Sequence, residues 1–317
     1  MFPWSRVPAL PGGREADVTI CSLPVREYYA EVAGKEPVPV PPSPGSARAS
    51  QLGLRRCEIP SAAGPAIENP ARPLQSPMSR LQAEVFPQSR LSAPLVEAMF
   101  ELYTRYFDAT GPELFRSDLD GKDWVLLMKD REGRLRGFST LALLESQLGG
   151  SRVRALFSGD TIVDHRHWGQ QALAFTWIRF AGVLKAQAPE VPLYWFLVVK
   201  GQRTYRYLEA FARSYYPHWA RPTPAPMQSL MDHLARERFG SAYQAGLGVL
   251  RFESSRGHLK PVWAQIPVAE RERPEVAYFL RRNPGYVRGE ELVCLTELCA
   301  ENLRPLARRL FLQGSSD

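Results

Sequence analysis

The chain has 317 residues, a formal charge of +7 and four cysteines, which leaves room for two average domains or for one large domain with appendages. Cys21, Cys57, Cys294 and Cys299 stand at no metal-ligand spacing, so zinc-finger and disulfide-scaffold classes are excluded and reduced thiols in a cytoplasmic setting are expected. No positively charged start followed by a long apolar run opens the chain, and the longest apolar stretch, residues 193–199, falls far short of the roughly 20 residues a spanning helix needs; a soluble, unexported protein is expected.

Half of the 28 prolines precede Met78. A segment such as residues 38–46 lacks an amide donor at every proline and shows no apolar period, so it can bury little, and residues 1–77 are expected to form a disordered tail. Because Met78 opens a well-patterned region, it is also a candidate for the true translation start.

From there the elements follow in order. Ser92 is placed to cap a helix whose apolar positions Leu95, Met99, Leu102, Tyr103 and Tyr106 recur at helical spacing, with Pro94 tolerated in the first turn. A turn or short helix occupies residues 112–119. Residues 124–128 and 135–144 have strand character, with a tight antiparallel turn at 130–134. Gly149 and Gly150 interrupt the chain before a long strand at 153–163. The polar turn from Asp164 to Gln170 leads into an apolar-periodic helix at 171–184 and then a strand at 193–199, and that one crossover helix makes the two strands parallel neighbours. A helix at 204–215 stops at Pro217. After a proline-rich hinge at 222–227 come a helix at 228–239, strand-like residues 248–252, a helix near 275–281, a strand at 292–295 and a terminal helix. Asn302 is the expected cap of that last helix, which puts Pro305 in its first turn.

This element order from Ser92 to Tyr215, together with the run from Ser158 to Gly169, is similar to that of the GNAT-type acyltransferases. The resemblance implies an α/β (α+β) fold, with a mixed, mostly antiparallel central sheet, one parallel strand pair and flanking helices. Residues 78–221 would form the core, and residues 222–317 a C-terminal extension, largely helical, that completes the sheet and covers the site. A wedge between the parallel strands would admit an acyl thioester, and the turn opening the crossover helix would hold the pantetheine pyrophosphate on main-chain amides, as any helix N-terminus holds an anion. The family's turn has an Arg or Gln followed by two spaced glycines. Here Trp168, Gly169, Gln170, Gln171, Ala172 and Leu173 align with it, so Gly169 alone is kept, and Gln171 and Leu173 would crowd a pyrophosphate. An acyl carrier protein, whose phosphopantetheine lacks the pyrophosphate-adenosine end, is less affected than coenzyme A. The implied co-substrate is acyl-CoA or acyl-phosphopantetheine, with no tightly bound cofactor.

Ligands of open α/β sheets gather where such strands end, which directs attention to the turn from Asp164 to Gln170. Asp160 and Ser158 occupy alternate strand positions and would share a face; Asp160 would take the acceptor's proton if burial raises its pKa, or else bond backbone amides at a bulge. His165, with His167 on the far side of Arg166, is the other candidate base. Arg166 can pair a phosphate or carboxylate. Main-chain amides at Ile162, Val163 and Asp164 would polarise the thioester carbonyl, with Trp168, Gly169 and Gln170 lining the turn and Lys200 and Arg203 holding the carrier's phosphate. On the resemblance, Tyr205 would protonate the leaving thiolate, with packing as its other possible role. No metal site is expected: two histidines at i and i+2 lack a third ligand, and residues 118–122 lack the glutamate of a calcium loop. The residues up to Pro77 supply only +1 of the charge, as eight Lys and Arg face seven Asp and Glu. The remainder is mildly basic but carries no zinc-finger spacing, RNP motif or unbroken basic run, so nucleic-acid binding is not expected. The expected function is acyl transfer from a thioester to an amine or hydroxyl of a small-molecule acceptor; the alternative is a non-catalytic module of the same shape that binds an acyl carrier or a lipid metabolite.

Overall fold

The computed structural model describes residues 81–316. The expected tail at 1–77 and the proposed start at Met78 lie outside the described residues. Ten strands and nine α-helices follow in chain order among the described residues: β1 (Gln82–Pro87), α1 (Ala93–Thr104), β2 (Phe107–Asp108), α2 (Pro112–Asp120), β3 (Trp124–Lys129), β4 (Leu135–Leu148), β5 (Ser151–Val163), α3 (Ala172–Ala186), β6 (Leu193–Val199), α4 (Gln202–Phe211), α5 (Ala225–Phe239), β7 (Tyr243–Gln244), β8 (Val249–Leu250), β9 (His258–Leu259), α6 (Pro261–Ala264), α7 (Val268–Arg271), α8 (Pro274–Arg282), β10 (Glu291–Glu297) and α9 (Pro305–Gly314). One sheet has the order β1-β3-β4-β5-β6-β10-β8-β7, and β2 pairs with β9 in a small separate ribbon. Every pairing in the large sheet is antiparallel except β5 with β6. Because β10 pairs with β6, the sheet runs on without a break past the hinge at Pro222.

Side-chain alternation along the strands sorts the core into two faces. Leu156, Trp195, Leu197, Leu292 and Cys294 join Trp177 and Ile178 of α3, Leu208 of α4 and Phe311 of α9. The alternate positions Ala155, Phe157, Phe196, Val293 and Leu295 pack on Leu230 and Leu234 of α5. On that second face, Val125, Leu127, Phe138 and Ile162 lie against Met99 and Tyr103 of α1 and Phe115 of α2. The helices α3 and α9 approach so closely that a Cβ at Gly182 would strike the carbonyl of Phe311.

Strand β1 was not legible in the sequence; its run of Gln82, Ala83, Glu84 and Val85 is weakly apolar and belongs to the sheet as an edge strand. Helix α4 ends at Phe211 rather than near Tyr215, since Ala212 turns extended and bridges Leu303. Asn302 does not cap α9, whose N-cap is Arg304. Its side chain instead accepts from Ser214 N and donates to Ser214 O, Thr296 Oγ1 and Glu297 O, tying the end of β10 to the segment after α4.

Candidate active site

The parallel register of β5 and β6 runs from Arg154 opposite Leu193 to Ser158 opposite Leu197 and ends there. Strand β5 continues to Val163, paired only with β4 on its other side. Asp164 N–H donates to Arg136 O at 2.8 Å. By antiparallel alternation Ile162 therefore also bonds toward β4, while Thr161 and Val163 turn their amides and carbonyls toward the edge that β6 has left. Of the three amides expected to face a thioester, Val163 alone is aimed into the opening; Ile162 and Asp164 are spent on β4. The indole of Trp168 marks the same direction, donating Nε1–H to Val163 O at 2.9 Å.

A bulge lies at the point where the pair separates. Ser139 is opposite Thr161 and Leu141 opposite Ser158, so Gly159 and Asp160 together oppose Thr140. An extra residue resets the alternation beyond it. Ser158 points to the α3 face, where its hydroxyl accepts from Trp177 Nε1 at 3.2 Å and Trp195 Nε1 at 3.0 Å. Asp160 takes the parity of Ile162 and faces α1. The expectation that Ser158 and Asp160 share a face fails for this reason. A Cβ at Gly159 would lie 2.6 Å from Thr140 Oγ1 and 2.7 Å from Lys122 Cε, so the bulge fits its surroundings without a side chain at that position.

Asp160 is half-buried, and among the described residues no hydrogen bond or ion pair holds its carboxylate. Burial and then the negative charge of Asp118 push its pKa up to about 6, against the pull of Lys200 and Lys122 and with a further push from Glu291. Lys122 is buried and ion-paired to the Asp118 carboxylate, and also donates to Asp118 O at 2.9 Å. Lys200 and Glu291, with side chains 13% and 12% exposed, stand 3.6 Å apart; Lys200 also donates to Arg256 O at 3.2 Å and lies 5.5 Å from the centre of the Phe107 ring. Lys200, expected to hold the carrier's phosphate, is thus turned inward beside Glu291 and Phe107. Tyr103 stacks on Phe107 at 4.5 Å, and burial first, Asp160 second, raise its hydroxyl far above the ordinary phenol range.

The turn after β5 is built on a second aspartate. Asp164, 1% exposed, accepts from Arg166 Nε, Nη2 and backbone N at 3.0, 2.6 and 3.1 Å and pairs with Arg105 at 3.6 Å. The Arg166 hydrogen bonds outweigh its burial and hold its carboxyl well below the usual carboxylate range. Arg166 therefore shares its charge with Asp164 while its side chain remains more than half exposed. His165 N–H donates to Tyr106 Oη at 2.6 Å, and Nδ1 of its ring lies 3.2 Å from the same oxygen. His165 lies in the turn beyond the end of β5, with its ring against Tyr106 and Trp263, whereas Asp160 stands at the bulge within the strand. Trp168, 43% exposed, packs against Trp263 at 5.5 Å and carries the Arg203 guanidinium 4.3 Å above its ring.

The start of α3 departs from the expected crowding. Leu173 is buried in the core on the α3 face, so its side chain leaves the turn clear. Gln171 does fold over it, donating Nε2–H to Gly169 O at 3.2 Å, and the Gln170 amide is occupied by His167 O at 3.1 Å. Tyr205 is 1% exposed among Tyr215, Tyr278 and Phe279; its hydroxyl donates to Pro217 O at 2.9 Å, and burial raises it beyond the phenol range. That setting is one of packing and does not suit a proton donor. Lys122 and Glu291 escaped sequence reasoning. The i,i+4 spacing of Asp118 and Lys122 was a signal for the first, whereas nothing local marks Glu291 as a neighbour of Lys200. The described residues hold no group of three or more His, Cys, Asp or Glu placed to bind a metal ion, and none of their helices is long and apolar enough to cross a membrane. A cleft of about 580 Å³ lies elsewhere, lined by Leu148 and by Ser229, Asp232, His233, Arg236 and Glu237 of α5.

No family model matches the chain, and no curated protein matches it. Among solved structures, the chain is similar to a conserved protein of unknown function from Enterococcus faecalis V583, named a probable N-acyltransferase, at 14% identity over 42% of this chain and 33% of that one, with a TM-score of 0.33. It thus spans about a third of that protein's length. It is also similar to a GNAT-family N-acetyltransferase of Escherichia coli in complex with CoA, at 17% identity over 43% of this chain and 71% of that one, TM-score 0.30. A third, Escherichia coli ElaA, is 14% identical over 44% of this chain and 88% of that one, TM-score 0.29. Overlaps this low add no weight to the topology, which stands on strand order and register: a mostly antiparallel sheet with one parallel pair that opens at a bulge.

Proposed function

We propose that the protein is an acyltransferase that moves an acyl group from a thioester to an amine of a small-molecule acceptor. The observation that carries this reading is Asp160, a carboxylate without a bonding partner among the described residues, held at the bulge where β5 parts from β6 and poised with a pKa of about 6. Above that pH it is ionised, accepts a hydrogen bond from the acceptor's neutral amine, and takes that proton as the nitrogen lone pair attacks the thioester carbon; the tetrahedral intermediate then collapses, the C–S bond breaks and the thiolate leaves. The amide of Val163 is the donor best directed to the thioester arm. The electrostatic surroundings belong to Lys122, Lys200 and Glu291, and His165 and Tyr205 take no part. The leaving thiolate is protonated from water, since a free thiol's pKa near 8.5 makes an enzymic acid dispensable.

The fold of Gln171 over Gly169 supports a donor without a pyrophosphate, which favours acyl-phosphopantetheine on a carrier protein over acyl-CoA. Such a reaction belongs in the cytoplasm, where the free thiols of Cys294 and Cys299 persist. Incubating the protein with acyl-CoA and acyl carrier protein pools and a set of amine metabolites, followed by mass spectrometry, tests the reading. Acylated amine formed by wild type and not by Asp160→Asn supports it; equal product from both overturns it.

A further inference from the structure

Four side chains at the open end of the β5–β6 pair are linked to one another and also face solvent. Arg105, at the end of α1, and Arg166 meet on the buried Asp164 carboxylate, with side chains 54% and 57% exposed. Two residues beyond Arg166, the exposed indole of Trp168 supports Arg203 from the first turn of α4. Trp263 joins the group from the C-terminal region, packing on Trp168 and donating to Arg105 O at 3.1 Å, and its neighbour Val262 is 67% exposed. Three guanidiniums thus lie around the exposed indole, two of them on the buried Asp164 carboxylate and the third on the Trp168 ring. The Val163 edge leads inward from this patch to Asp160.

A ligand that needs only a phosphate would be met by one guanidinium, whereas three spread across two helix ends and a turn match a broad negative surface. Exposed Trp and Val between them supply the apolar centre that protein interfaces use. We propose that this patch docks an acidic carrier protein, placing its phosphopantetheine arm along the Val163 edge toward Asp160. The proposal rests on the acyl-transfer reading above and adds the partner and its docking surface. Trp168 covers Val163 O, so seating the arm displaces the indole from that bond.

The test compares one acyl group on three donors: an acidic acyl carrier protein, free acyl-phosphopantetheine, and acyl-CoA. Wild type is expected to have the highest kcat/KM with the carrier, falling by about tenfold or more between 50 and 300 mM salt, a loss expected of steered association. The double variant Arg105→Glu, Arg203→Glu is expected to lower kcat/KM for the carrier at least tenfold relative to free acyl-phosphopantetheine. An equal loss on both donors would assign the arginines to the phosphate alone and overturn the docking surface, as would acyl-CoA matching or exceeding the carrier. Carrier binding is measured in parallel by sedimentation. Salt-sensitive binding with no turnover of any donor would keep the surface and sink the acyl-transfer reading; turnover of the free thioesters with no carrier binding would do the reverse.

Discussion

Asp160 and Asp164 lie at the same end of β5, close in sequence, the first half-buried and the second buried, and their carboxylates are treated oppositely. Asp164 receives the Arg166 fork and a backbone amide, is paired with Arg105, and stays ionised far into the acid range. Asp160 has burial and the charges of Asp118 and Glu291 against it, and only the more remote Lys200 and Lys122 in its favour. A saturated carboxylate has nothing left to offer a substrate and serves to fix the turn. An unsaturated one costs stability and keeps its lone pairs available, which is the combination a general base needs.

Substitution breaks that comparison most sharply. Asp160→Asn is expected to lower kcat by about 10²- to 10⁴-fold, the range of general base catalysis, and to raise folding stability at pH 8 by about 1 to 3 kcal/mol, because the charge disfavoured by burial is removed. A stopped assay with urea melts on the same samples reads both. Asp164→Asn is expected to do the opposite, losing about 1 to 3 kcal/mol of stability as the two arginines lose their shared acceptor, with a smaller loss of kcat per folded molecule. If Asp160→Asn unfolds the protein while Asp164→Asn abolishes activity without destabilising it, the assignment of the two roles is reversed.

The pH dependence sharpens the same contrast. The folded pKa of Asp160 is raised, so its ionisation disfavours the native state: relative to Asp160→Asn, wild type loses stability as pH climbs from about 4 to about 6. The folded pKa of Asp164 is depressed, so its contribution is present above the ordinary carboxylate range and is lost as pH falls below it. Urea melts across pH 3 to 8 distinguish the two signs. The acid limb of kcat/KM should titrate near 6, and Lys200→Met should move that limb upward by removing a charge that favours ionised Asp160; an unmoved limb would separate Lys200 from the base. The smallest effect expected is that of Gly159→Ala, about 1 kcal/mol or somewhat more of overpacking against Thr140 and Lys122, read as a lowered urea midpoint.

Periodicity and punctuation made much of this chain legible. The strand at 193–199 carries its bounds in its composition, being apolar throughout between Pro192 and Lys200, and the long strand before it ends where the polar run begins. A single helix between them forced their parallel pairing by chain length alone. Within the candidate site, Asp160 was legible because a carboxylate in an otherwise apolar strand is conspicuous whatever surrounds it. Its surroundings were not: the bulge that turns Asp160 away from Ser158 depends on the register with β4, and period-two reasoning along one strand cannot detect an extra residue in a pair. Tyr205 illustrates the same limit, since helical spacing assigned it a face but could not show that Pro217 would take its hydroxyl.

The sequence by itself determined which segments are strands and helices, their order, and the presence of one acidic group amid apolar neighbours, because these follow from local periodicity and turn chemistry. Asp164 takes its main partner from Arg166, two residues along, whereas tertiary structure alone decided the state of Asp160. Its burial and the charges of Asp118, Lys122, Lys200 and Glu291 come from residues far apart in the chain, which only the folded sheet brings together.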